Sequence, residues 1–90
     1  MTVNDKIIYL TFIEIEKLLD KSKIEYQSLD NRIEFYGNND EQVIIDLNDT
    51  DITVFYMHNN HIFTLESDHT WICQPNNISL LPFVEKLVNH

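Results

Sequence analysis

Apolar residues recur along this chain with two different periods, and the change of period divides it into elements. From Asn4 to Lys21, Ile7, Ile8, Phe12, Ile15, Leu18 and Leu19 share a stripe about 140° wide when each residue turns about 100°. That spacing predicts an amphipathic helix. Asn4 suits its N-cap, Asp5 the positive end of its dipole, and Lys17, Lys21 and Lys23 the opposite end. Tyr9, Leu10 and Ile13 fall off the stripe. Either the helix buries a wide arc between sheet and loop, which is the reading we favour, or these three face a partner.

From Lys23 to Gln74 the period is two, and turn residues cut the stretch into short antiparallel strands. The first two are Ile24 to Leu29 and Arg32 to Tyr36. Asp30-Asn31 joins them as a two-residue turn, so that Ser28 opposes Ile33 and Tyr26 opposes Phe35. After a loop at residues 37–41 comes Gln42 to Leu47, with Val43, Ile45 and Leu47 on the same face. Ile52 to His58 and His61 to Glu66 follow, with Asn59-Asn60 as the turn between them, and Thr70 to Gln74 adds a sixth strand. The turn at residues 67–69 fits two lengths, so either Trp71 and Cys73 or Ile72 points to the core.

Pro75-Asn76-Asn77 breaks the sheet. Ser79 is placed to cap a last helix running to Val88, with Leu80, Leu81, Val84, Leu87 and Val88 on its apolar side and Pro82 in its first turn. The expected class is α+β: an N-terminal helix, a five- or six-stranded antiparallel meander sheet, and a C-terminal helix, with the helices on the apolar sheet face and residues 1–90 in one domain.

Composition narrows the function classes. With 43% hydrophobic positions in 90 residues the chain can bury a core, but a domain this small has no room for a deep cleft between parts. The net charge of −9 opposes direct nucleic-acid or anionic-membrane binding. No signal peptide or membrane-length apolar run is present, and the single cysteine suits a reducing compartment, so a cytoplasmic protein is expected. The charge is not evenly spread: residues 26–75 hold nine acids and Arg32, a net −8 of the −9.

That excess lies on the sheet and its loops. Asp40, Glu41, Asp46, Asp49 and Asp51 form its densest run, and Glu34 and Asp46 alternate to the face opposite the apolar set. On that face the expected register pairs Ile44 with Phe55 and Met57 with Ile62, near Tyr36, giving an apolar cluster rimmed by acids. Such anatomy suits docking on a basic protein surface, with Ile44, Phe55 and Met57 as anchors and Glu34 and the acidic run steering from the rim. A homodimer through the same face, a helix covering it, or a merely solubilising acidic surface would leave the same pattern.

Candidate chemistry is sparse. His58 and His61 would face each other across an Asn59-Asn60 turn, and with His69 and Cys73 they supply the obvious zinc-type ligand set. Ser67, Asp68 and His69 are sequence neighbours, which triads rarely are. One glycine cannot build a phosphate-cradling loop, so no nucleotide cofactor is expected. These features favour a non-enzymatic inhibitor of a nucleic-acid-binding enzyme, of the nuclease-inhibitor, toxin-immunity or anti-restriction and anti-CRISPR kind. A self-associating structural or adaptor subunit and a small His/Cys metal protein are the alternatives.

Overall fold

In the computed structural model the described residues are 3–37, 40–48, 50–67, 69–74 and 76–88. They form helix α1 (Val3–Lys21), strands β1 (Tyr26–Leu29), β2 (Arg32–Tyr36), β3 (Gln42–Leu47), β4 (Asp51–Tyr56), β5 (Asn59–Leu65), β6 (Trp71–Cys73) and β7 (Ile78–Ser79), and helix α2 (Leu80–Val88). The strands make one antiparallel sheet in sequence order, β1 and β7 at its edges. The expected α+β class, element order and helix-covered face hold.

The sheet has seven strands, where five or six were expected. Ile78 and Ser79, placed by the sequence in a break and a helix cap, instead pair with Cys73 and Ile72. The chain reverses through Asn77, which adopts a left-handed φ of 51° and accepts a 3.0 Å hydrogen bond from the Gln74 amide. Ser79 still stands immediately before α2.

Helix α1 starts one residue early, so Asn4 lies inside it rather than capping it. Its other end closes by the Schellman pattern. Ile24 N–H donates to Leu19 O and Lys23 N–H to Asp20 O, while Lys23 takes the left-handed position at φ 59° where glycine is the usual choice. This is why β1 begins at Tyr26 rather than Ile24: the Ile24 backbone completes the helix end while its side chain packs on the core.

Register follows the expected alternation in β1 to β3, with Ser28 opposite Ile33 and Tyr26 opposite Phe35. Between β4 and β5 it departs. The turn is Met57-His58, both at positive φ, and Asn59 begins β5 opposite Tyr56. The Asn59 side chain donates to Met57 O at 3.3 Å, bracing the turn from its flank. Moving the turn by two residues keeps every side chain on its face, so the alternation alone could not reveal it.

The core lies between the inner sheet face and both helices. Ile33, Val43, Ile45, Ile52, Val54 and Phe63 are fully buried there against Ile15 and Leu19 of α1 and Val84 of α2. Trp71 and Cys73 point to this face and Ile72 away, settling that orientation. The buried Trp71 Nε1–H donates at 3.1 Å to Thr11 Oγ1, whose hydroxyl in turn donates at 2.8 Å to Ile7 O, tying β6 to α1. Gly37, the single glycine, lets the β2–β3 loop touch the end of α2: a Cβ there would lie 2.7 Å from Leu87 O. The wide buried arc expected of α1 is not formed, because Tyr9 and Leu10 remain 57% and 47% exposed.

Candidate functional site

The acidic run does not form one patch. Asp40 and Glu41 precede β3 and Asp51 follows it, so the six-residue strand separates them by about 20 Å. Asp46 is engaged with Arg32, whose Nε lies 2.7 Å and Nη2 3.3 Å from its two carboxylate oxygens. That pairing raises the Arg32 guanidinium above its ordinary range, first through the hydrogen bond and then through the opposite charge. Asp51 accepts a 3.0 Å bond from the Asn48 amide. Asp49 lies outside the described residues.

On the outer sheet face Glu34, Ile44 and Phe55 do come together, in a cross-strand row running Gln27, Glu34, Ile44, Phe55, Asn60. Met57 does not join them, since it sits in the exposed turn, and Ile62 opposes Thr53 instead. Neither helix covers this face: its apolar residues are absent from the core that both helices share.

The His/Cys set does not converge. His58 occupies the β4–β5 turn and His69 the β5–β6 turn, both exposed and left-handed. His61 opposes Val54, and its ring lies 5.0 Å from that of Phe83 on α2, which also packs against Phe63 and Tyr56. Cys73 shares an open cavity of about 340 Å3 with His61 and Phe83, its thiol directed at Gln74 O at 3.7 Å. Among the described residues no three Asp, Glu, His or Cys side chains group closely enough to hold a metal ion. Asp68, the middle of the Ser67-Asp68-His69 run, lies outside the described residues.

A different arrangement exists where α1 meets β1. Glu16 and Asp20 are one helical turn apart on α1, and both address the phenol of Tyr26, the first residue of β1. Tyr26 Oη–H donates to Glu16 Oε2 at 3.4 Å. Partial burial, then the negative charges of Glu16 and Asp20, push this phenol above its ordinary value. Asp20 and Tyr26 also line an open groove of about 880 Å3 with Glu25, Glu34 and Tyr36. Two carboxylates and a phenol oxygen make an all-oxygen, net negative set suited to a hard cation that keeps part of its water. Sequence reasoning missed it. The signal was the i, i+4 spacing of Glu16 and Asp20 facing the first strand after the helix.

No protein-family profile and no curated protein matches this chain. A solved structure does: the frataxin from Psychromonas ingrahamii, of the CyaY protein family, with a TM-score of 0.71 over 92% of this chain and 85% of that one. The fold is frataxin-like. At 16% identity the likeness concerns the fold. It nonetheless corrects the function expected from charge and size: the architecture is that of a frataxin, not of an inhibitor, immunity or anti-CRISPR protein, and the self-associating adaptor reading falls with it. Among the described residues, the histidines and cysteine that suggested a metal-binding alternative do not come together. No described helix is long and apolar enough to cross a membrane.

Proposed function

We propose that this chain is a small non-enzymatic protein of the cytoplasm that binds hard divalent cations weakly, as cargo, at Glu16, Asp20 and Tyr26. The observation that carries the reading is the convergence of two carboxylates from successive turns of α1 on one phenol at the start of β1. Helix and strand are both anchored in the core, by Ile15 and Leu19 on either side of Glu16 and by the pairing of Tyr26 with Phe35. The donors are therefore held by rigid elements rather than by loops.

The donor chemistry sets the affinity. Two carboxylates without a third acidic ligand leave most coordination positions to water, so the dissociation constant falls at roughly 10−4 M or weaker, below caged calcium sites in strength. Weak binding suits a carrier that must release what it holds. Oxygen donors favour manganese, magnesium or ferrous-type ions over ions that seek thiolate or imidazole.

Electron paramagnetic resonance of Mn2+ titrated into the protein tests this. The expected result is loss of the free-ion signal with one weak site that disappears in the Glu16→Gln/Asp20→Asn double variant. Equal Mn2+ uptake by that variant, with its fold intact by circular dichroism, would overturn the assignment.

A further inference from the structure

We propose that the free edge of β1 takes up an extended, basic segment of a partner protein as an additional strand. β1 ends the sheet and pairs with β2 alone, so one side of its backbone is left without a strand partner. Gln27, Ser28 and Leu29 are all exposed, Leu29 at 75%, and no described helix lies over them. Edge strands are commonly guarded by shortness, lysine, proline or a bulge; Tyr26–Leu29 is short, at four residues, but contains no lysine, proline or bulge. An open edge of this kind is the substrate of strand addition, in which main-chain hydrogen bonds supply affinity and alternate side chains supply selection.

Charge selects the occupant. Glu25 and Asp30 flank the strand at its two ends. A second copy added antiparallel about the centre of β1 would set Glu25 against Asp30 of its mate at both ends, and like charges directly opposite each other are destabilising. A strand carrying lysine or arginine at those positions meets opposite charge instead. Where β1 begins, the groove of about 880 Å3 presents Asp20, Glu25 and Glu34 against the single cation Lys23, with the rings of Tyr26 and Tyr36 beside them. A long basic side chain fits there, its stem on the aromatic surface and its head among the carboxylates. The acidic flanks of β1 thus reject self-pairing and admit a basic strand.

The test uses the full chain in low-salt buffer containing EDTA, which removes metal from the question. The probe is a seven-residue peptide alternating lysine with valine or threonine, capped at both ends, followed by amide NMR. Shift changes are expected at Gln27, Ser28 and Leu29, with slowed amide exchange there. The same peptide N-methylated at alternate residues keeps its charge but cannot add as a strand, and its binding should fall at least about tenfold. Glu25→Gln with Glu34→Gln should weaken the unmodified peptide roughly fivefold, the scale of two exposed charge pairs. Equal binding of the methylated peptide, shifts centred away from β1 and its groove, or no shifts at millimolar peptide would each overturn the proposal. Failure of Mn2+ binding would leave it standing, and the reverse also holds.

Discussion

The inner and outer faces of this sheet are made by alternate residues of the same strands, yet they are put to different use. The inner row is closed: Ile33, Val43, Ile45, Ile52, Val54 and Phe63 have no exposed surface, and the buried hydrogen bond across it from Trp71 to Thr11 satisfies both partners. The outer row alternates Glu34 with Ile44 and Phe55, pairs Arg32 with Asp46, and leaves Ile62 open to solvent. Apolar residues on a strand do not by themselves announce a core or a contact surface. What separates the faces is whether a helix arrives to cover them, and both helices arrive on one side.

The largest expected effect sets the faces directly against each other. Phe63→Ala should cost about 3–5 kcal/mol by leaving a cavity, whereas Phe55→Ala should cost about 1 kcal/mol or less, both read from urea unfolding. Equal losses would mean that the outer face is covered after all. Thr11→Val sharpens the inner face. It keeps the shape but leaves the buried Trp71 N–H without an acceptor, for a loss of about 1–3 kcal/mol, and the change should also appear in Trp71 fluorescence. Gly37→Ala tests the seam between the β2–β3 loop and α2 with a loss of about 1–3 kcal/mol, because the new methyl meets a backbone carbonyl rather than a yielding side chain.

Smaller effects probe the turns. Met57→Asn with His58→Gly places residues tolerant of positive φ in the β4–β5 turn and should raise stability by about 1 kcal/mol. A loss instead would argue for the Asn59-Asn60 turn that the composition favours. The smallest effect is alkaline. Tyr26 titrates above its ordinary 10.0 in the folded chain, so its contribution is fully present below pH 10 and is lost as pH rises through the raised native value. Tyr26→Phe should flatten that part of the stability curve.

These contrasts show what the sequence could convey. The helices, the faces of β1 to β5 and most of the core were legible because burial imposes a period that one chain displays by itself. The β4–β5 turn was not, since a two-residue shift preserves every face, and Asn59-Asn60 is a better turn sequence than the Met57-His58 that makes it. β7 was hidden by its two-residue length next to a helix cap. The dispersal of the acidic run was hidden for a related reason. Sequence density grouped Asp40, Glu41, Asp46 and Asp51, but a strand divides them and Arg32 occupies one, whereas Glu16, Asp20 and Tyr26 meet only when α1 folds back along β1.

If the working surface is the α1–β1 side rather than the outer face, bound cation must reside there. The direct measurement is residue-resolved paramagnetic broadening of backbone amides by substoichiometric Mn2+. Broadening should be centred on Glu16, Asp20 and Tyr26 and vanish with Glu16→Gln/Asp20→Asn. Broadening centred on Asp40 and Glu41, or on Glu34 and Asp46 across the outer face, would contradict that placement.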